Sequence, residues 1–252
     1  MENRFFIDVI IDYFAVGPGL TVTTPWLIAY MQEASIRHIN STPFTTQWYS
    51  DNGFGYILTN WHIKINKYPK NNENIKIFTW PIFFKGILCE RYFEMQDENK
   101  NILAWACSKW VYMDLNHRRP RKPPEEHKAG YGSLYPANFD YDFDFLSDID
   151  IYSKINTGSI KITRKDIDSN FHVNNIKYIE WAVDNIPDDI YNSGRITEIK
   201  AAYKKECKYG QGLSIETYSK QDAETEILST LNTDDESGGA LFQAYFILRS
   251  GV

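Results

Sequence analysis

Cysteine is scarce in this chain, with only Cys89, Cys107 and Cys207 among 252 residues. The three form no Cys-x-x-Cys pair and no spacing typical of a metal site. An odd number of cysteines, in a chain long enough to build a large core, argues against a disulfide-stapled scaffold and favours a reducing compartment. We therefore expect a cytoplasmic protein with no metal site and no cofactor.

Long apolar runs and an excess of basic residues are also missing. No stretch approaches the roughly 20 apolar residues that a membrane-spanning helix requires, and the N-terminus lacks the pattern of a signal peptide. The formal net charge is -6, whereas nucleic-acid-binding domains are usually basic. These absences predict a soluble globular protein that neither inserts into a membrane nor binds nucleic acid.

The most informative stretch present is a polar run from Asp168 to Asn175, directly before an apolar-periodic helix. It includes the carboxylate of Asp168, the carboxamide of Asn170 and the imidazole of His172. A helix start presents unpaired N–H groups and a positive dipole end, so such side chains can hold an electrophile and stabilise an oxyanion. A helix cap alone needs one Asn or Asp and no histidine. The cluster therefore favours a functional site over a simple cap.

Hydrophobic periodicity predicts the same order of elements twice. In the first half, a strand near residues 5–13 precedes a helix that begins at Thr23-Thr24-Pro25 and ends near Asn40. The remaining predicted elements are four strands between residues 57 and 113, a short strand at 159–163, a second helix after 175, and strands at 197–207, 213–219, 226–231 and 240–248. Two helices for about ten strands predict an α+β fold in which each antiparallel sheet wraps one long helix. Two such units side by side, which we expect to have continuous sheets, form a tandem hot-dog arrangement.

A segment rich in proline and charge at residues 118–126 separates the two halves. We assign residues 1–128 to the first hot-dog domain, 129–150 to a connector and 151–252 to the second domain. The connector contains an acidic-aromatic stretch at residues 139–145, and a turn at 234–239 joins the last two strands.

The chain resembles the acyl-ACP thioesterases, double hot-dog enzymes that release fatty acids from acyl carrier protein. The resemblance rests on Asp168–Trp181 (DSNFHVNNIKYIEW) and on Tyr203–Cys207 (YKKEC), with weaker matches at residues 65–69 and 110–126. These matches occur in the right order over most of the chain. Plant members carry a plastid transit peptide, whereas this chain starts almost at its first strand, which suggests a bacterial member acting in the cytosol.

The resemblance implies that Asp168, Asn170, His172 and Glu206 carry out the catalysis. A carboxylate, Glu206 or Asp168, would orient and deprotonate water, while Asn170 and His172 would bind the carbonyl or the water. The rival nucleophile is Cys207, which with His172 and Asn170 would make a Cys-His-Asn trio. The third possibility for Cys207 is that of a small buried core residue.

Simple strand alternation argues against Glu206. Successive side chains on a strand point to opposite faces, which puts Cys207 on the apolar face with Ile199 and Tyr203, and Glu206 on the face with Lys200 and Lys204. A bulge near Gly210, or a strand that leaves the sheet at its end, would reverse this. The resemblance favours Glu206.

The first helix has no counterpart of the polar cluster, so we expect the first half to supply the acyl-chain pocket instead. The residues expected to contact substrate are Trp26, Tyr30, Met31 and Ala34 in the first half, and Asn174 and Asn175 in the second. His38 and His62 have no polar cluster around them in the sequence, and we expect surface or capping roles for both.

The partner implied by the resemblance is acyl carrier protein with a phosphopantetheine-linked acyl chain. Because the carrier is acidic, a net-negative enzyme needs a local basic surface. The candidate docking residues are Lys200, Lys204, Lys205 and Lys208, with a second basic cluster at residues 118–122; an ordinary solvated face is the alternative.

Other functions that the sequence allows are an acyl-CoA thioesterase, a hot-dog hydratase and a non-catalytic acyl-thioester-binding module. Two fused units already complete a pair, and a homodimer remains possible.

Overall fold

The computed structural model describes residues 4–132, 134–143, 149–221, 224–233 and 240–250. The chain divides into two compact units: the first contains Met1–Thr59 and Ile65–Tyr141, and the second contains Asn60–Lys64 and Asp142–Val252. The predicted turn at residues 234–239 and residues 144–148 of the predicted connector lie outside the described residues. The connector bounds of 129–150 stay a prediction.

The first unit is an antiparallel sheet with a long helix. In chain order its elements are β1 (Phe6–Ile10), α1 (Thr24–Asn40), α2 (Thr46–Asn52), β2 (Phe54–Ile65), β3 (Asn74–Lys85), β4 (Leu88–Asp97), β5 (Ile102–Asp114), β6 (Arg119–Pro120) and α3 (Glu125–Ala129). Hydrogen-bonded neighbours follow the order β1-β3-β4-β5-β2, and β6 pairs with β5. The short helices α2 and α3 were not predicted.

Helix α1 forms as the sequence predicts. Thr23 is its N-cap in an extended conformation, and Pro25 follows at the start of the helix, where its missing N–H costs nothing. Leu27, Met31 and Ala34 lie on one stripe and are fully buried. Burial of this stripe, rather than intrinsic helix propensity, holds the helix against the sheet.

The second unit repeats the pattern. Its elements are residues 60–64 of β2, β7 (Ser153–Lys161), α4 (Asn175–Asp184), α5 (Asp188–Tyr191), β8 (Arg195–Tyr203), β9 (Gly212–Gln221), β10 (Thr225–Thr233) and β11 (Phe242–Arg249). The strand order is β2-β8-β11-β10-β9-β7, in which residues 60–64 of β2 pair with β8. Tyr178, Ile179, Ala182 and Val183 form the buried stripe of α4. The tandem α+β hot-dog prediction is confirmed.

Two further differences from the predictions concern residues singled out in the sequence. Strand β8 ends at Tyr203 instead of running to residue 207, so strand alternation does not apply to Glu206 and Cys207. His38 and His62 are buried and not on the surface. His38 accepts a hydrogen bond from Arg91, and His62 pairs with Glu198. These partners lie on strands distant in sequence, which is why the local pattern does not reveal them.

None of the helices in the described part of the chain combines the length and the apolar character needed to cross a membrane.

Candidate active site

The polar run before α4 folds into a tight loop organised by Asp168. Its Oδ1 accepts the N–H groups of Asn170 at 2.8 Å and of His172 at 3.3 Å. Its own N–H donates to the carbonyl of His172 at 2.8 Å, while Ile167 and Val173 form an antiparallel bridge. An aspartate side chain that binds the backbone two residues ahead stabilises such turns. Asp168 therefore shapes the loop that presents His172.

The loop leads into α4 through Asn174, the N-cap residue. Its Oδ1 accepts the N–H of Ile176 at 3.0 Å, and its N–H donates to the carbonyl of Asp166 at 2.8 Å. Asn175 is the first residue of α4, and its carbonyl accepts the Tyr203 hydroxyl at 3.0 Å. The carboxamide oxygen of Asn174 is thus used in capping the helix.

The second part of the site is the segment that follows β8, residues 204–207, which contacts the loop. The carbonyl of Cys207 accepts the N–H of Val173 at 3.1 Å, and the N–H of Cys207 donates to the Tyr178 hydroxyl at 3.1 Å. These two bonds clamp the backbone next to Glu206 between the loop and α4.

The clamp brings Glu206 to His172. Glu206 Oε2 lies 3.3 Å from His172 Nε2, and the two side chains are 38% and 33% exposed. This exposure leaves room for water and a substrate to reach the pair. The side chain of Asn170 is exposed and makes no hydrogen bond to any described residue. The structure therefore brings together Asp168, His172 and Glu206, and places Asn170 on the same loop.

Cys207 has a different environment from its neighbour. The residue is 0% exposed. Burial raises the pKa of its thiol, and the hydrogen bond with Tyr178 only partly opposes this effect. A thiol with a raised pKa is a poor nucleophile at neutral pH, since the thiolate is the reactive form.

Sequence reasoning missed the roles of Tyr178 and Tyr203. Burial raises the pKa of both hydroxyls, so both stay protonated and able to donate. The Tyr203 hydroxyl binds the carbonyl of Asn175 at the start of α4, and the Tyr178 hydroxyl binds the N–H of Cys207. A buried tyrosine hydroxyl needs a hydrogen-bond partner. Because Tyr178 lies on the apolar stripe directly after the polar loop, the sequence could have indicated that its hydroxyl binds a backbone group of the site.

The substrate contacts expected in the first half are mostly core residues. Met31 and Ala34 are fully buried, and the Tyr30 hydroxyl donates to Asp12 Oδ2 at 3.2 Å. Trp26 is partly exposed, with its ring 4.9 Å from that of Phe14. None of the four expected residues lines the cavity beside Arg4 and His38 or the one beside Trp181 and Asn185, and their role stays a prediction.

The four candidate docking lysines are not equivalent. Lys200 Nζ lies 3.1 Å from Asp142 Oδ2, and its side chain is mostly covered. Lys204 Nζ donates to Gln243 Oε1 at 2.6 Å. Lys205 and Lys208 are exposed. Three of the four thus offer charge at the surface, all within the segment that carries Glu206.

A polar loop at the start of a helix, opposite a carboxylate from the segment that follows β8 and built on a hot-dog fold, suits a thioester hydrolase. The family model of the acyl-ACP thioesterase N-terminal domain matches residues 4–131, and that of the C-terminal domain matches residues 150–246. The chain belongs to the acyl-ACP thioesterase family.

Curated relatives and solved structures agree with this assignment. Oleoyl-acyl carrier protein thioesterase 2 of Arabidopsis thaliana is 25% identical over 92% of this chain and 67% of its own length. The dodecanoyl-[acyl-carrier-protein] hydrolase of Cinnamomum camphora is 26% identical over 92% of this chain and 64% of its own length.

Two solved structures share the fold. An acyl-ACP thioesterase from Bacteroides thetaiotaomicron aligns with a TM-score of 0.81 at 21% identity, covering 97% of each chain. The 12:0-ACP thioesterase from Umbellularia californica aligns with a TM-score of 0.82 at 23% identity, covering 97% of this chain and 93% of its own.

Proposed function

We propose that this protein hydrolyses the thioester of fatty acyl-acyl carrier protein, releasing a free fatty acid and ending chain elongation. The observation that supports it best is the 3.3 Å approach of Glu206 Oε2 to His172 Nε2 beside the start of α4. Family membership indicates the substrate class, acyl-ACP. Glu206 and His172 provide a carboxylate and an imidazole, which suit the activation of water.

Glu206 is the general base in this proposal. Its carboxylate takes a proton from water as the water oxygen attacks the carbonyl carbon of the thioester. Asp168 is less suited to this role, because one of its carboxylate oxygens already accepts two backbone N–H groups. Water activation by Glu206 needs no covalent acyl-enzyme.

Other groups of the loop position the reactants and stabilise the tetrahedral intermediate. The His172 imidazole holds Glu206 and the attacking water in place, and the Asn170 carboxamide, together with the positive dipole end of α4, stabilises the oxyanion. When the C–S bond breaks, the proton held by Glu206 passes to the departing thiolate. Glu206 is then a carboxylate again, ready for the next water.

A thiol-release assay tests the proposal directly. We expect the purified protein to liberate free thiol from acyl carrier protein loaded with chains of several lengths, with a higher kcat/KM than for the matching acyl-CoA. A higher kcat/KM for acyl-CoA would favour the acyl-CoA thioesterase reading. Absence of thiol release from both substrates would rule out the proposed activity, and hydration of an enoyl substrate would then be measured.

Tyr178 is expected to position the base without touching substrate. Tyr178→Phe removes the hydroxyl that binds the N–H of Cys207, which loosens the segment carrying Glu206. We expect kcat to fall about tenfold with KM changed less than about twofold.

The matched control for Tyr178→Phe is Tyr218→Phe. Tyr218 lies in the same unit, and its hydroxyl donates to Glu216 away from the site. We expect this control to keep the wild-type kcat. Equal kcat values for both variants would contradict the positioning role.

The exposed lysines beside Glu206 form the proposed docking surface for the acidic carrier. We expect the double variant Lys205→Gln/Lys208→Gln to raise KM for acyl-ACP by roughly three- to tenfold at low salt, with kcat nearly unchanged. The KM difference from wild type should shrink at high salt, because screening weakens exposed charge pairs. The control Lys67→Gln/Lys70→Gln removes equal charge from exposed positions of the first unit. A KM change shared by both double variants would refute specific docking.

A further inference from the structure

The first unit contains a cavity of about 510 Å³ that shares no residue with the candidate active site. Its size lies within the range of small-molecule sites. The walls include the aromatic rings of Phe5, Trp80, Tyr131 and Tyr135, together with Arg4 and His38. None of the described residues that line it carries a carboxylate. The cavity therefore combines flat apolar walls with positive and hydrogen-bonding groups.

A buried cation lies directly behind this wall. Arg91 is 3% exposed, and its Nη1 donates to His38 Nδ1 at 3.0 Å and to Thr79 Oγ1 at 3.2 Å. Its guanidinium carbon lies 5.2 Å from the centre of the Tyr131 ring. Among the described residues, no carboxylate oxygen lies within 4.0 Å of the guanidinium. The positive charge of Arg91 therefore has no counter-ion in the described part of the protein. This is unusual, because buried charges are normally paired.

Arg91 determines what His38 can offer to the cavity. An arginine can only donate, so Nδ1 must accept and the ring hydrogen of a neutral His38 lies on Nε2. Burial, followed by the charge of Arg91, lowers the pKa of His38 to about 3. The ring is held by Phe5, stacked at 4.5 Å, and by the edge contact with Tyr131 at 5.1 Å. His38 is thus a fixed N–H donor that the cation behind it polarises.

We propose that this cavity binds an organic carboxylate carried on an apolar or aromatic body. The Nε2–H of His38 donates to the carboxylate, and Arg91 behind it supplies the compensating positive charge. The guanidinium of Arg4, 4.7 Å from the centre of the Trp80 ring, adds positive charge to the wall. Arg4 and His38 are the lining residues with positive or imidazole N–H groups, and they lie beside flat aromatic rings, an arrangement that suits a planar carboxylate on an apolar body better than a tetrahedral phosphate.

The test is a calorimetric titration of the full chain with sodium benzoate and sodium octanoate, with inorganic phosphate and AMP as comparison ligands. We expect both carboxylates to bind, and His38→Phe to weaken benzoate binding about tenfold. His38→Gln should restore binding to within about threefold, because a carboxamide can accept from Arg91 and donate to the ligand.

The matched control is His127→Phe. His127 is also buried among aromatic rings of the first unit, and burial also lowers its pKa, but it does not line the cavity. Its replacement should leave benzoate affinity unchanged. Benzoate affinity equal to wild type in His38→Phe would overturn the proposal.

Two further outcomes would also overturn it. One is absence of carboxylate binding at millimolar concentration, and the other is tighter binding of AMP or phosphate than of either carboxylate. If circular dichroism shows that His38→Phe does not fold, Arg4→Met decides instead. Weaker benzoate binding by Arg4→Met would support the site, and unchanged binding would exclude it.

Discussion

We expect Glu206→Gln to lower kcat for acyl-ACP hydrolysis by about 10²- to 10⁴-fold, the range for loss of a general base. The substitution keeps the shape of the side chain and one carbonyl oxygen, so the contact with His172 can persist while the proton acceptor is lost. KM should therefore change little. Steady-state thiol release, at several concentrations of one acyl-ACP, measures both constants.

Two companion variants make the Glu206 result specific. Glu180→Gln removes a carboxylate that pairs with Lys177 on α4, and it should retain the wild-type kcat. Cys207→Ser should change kcat by less than about threefold, since a buried thiol with a raised pKa is not the nucleophile. Full activity in Glu206→Gln, together with an inactive Cys207→Ser, would instead establish a cysteine mechanism.

His172→Ala is expected to lower kcat by about 10²- to 10³-fold. The loop itself should survive, because the hydrogen bonds between His172 and Asp168 use the backbone N–H and carbonyl of His172. The substitution thus removes the imidazole beside Glu206 without removing the turn. The kcat measurement is paired with a melting temperature, which should remain close to that of the wild type.

The control for His172→Ala is His117→Ala. His117 is a largely exposed histidine that pairs with Asp114 in the first unit, and its loss should leave kcat unchanged. A His172→Ala enzyme that keeps more than about a tenth of the wild-type kcat would contradict a direct role for the imidazole.

Local pattern was sufficient for the two longest helices, α1 and α4, and for most strands. The i, i+3, i+4, i+7 stripe of Leu27, Tyr30, Met31 and Ala34 predicted α1, and its buried face is the one observed. Periodicity could not find where β8 ends. After Tyr203 the N–H groups of Lys204 and Lys205 bind the carbonyl of Leu241, and that bond depends on a strand distant in sequence.

The histidines illustrate the same limit. Their neighbours along the chain predicted surface or capping roles for His38 and His62, yet both side chains are buried. The partners are Arg91 and Glu198, which are 53 and 136 positions away. A buried polar group depends on which distant side chain satisfies it, and the residues on either side do not contain that information.

The sequence by itself determined the family, the tandem hot-dog organisation and the polar loop that precedes α4, because all three depend on short-range order. Only the tertiary structure decided that Glu206, and not Cys207, stands beside His172. That choice depends on the early end of β8 and on two hydrogen bonds of the Cys207 backbone. The carbonyl of Cys207 accepts the N–H of Val173, and the N–H of Cys207 donates to the Tyr178 hydroxyl. These contacts join segments that meet only after the sheet and helix have packed.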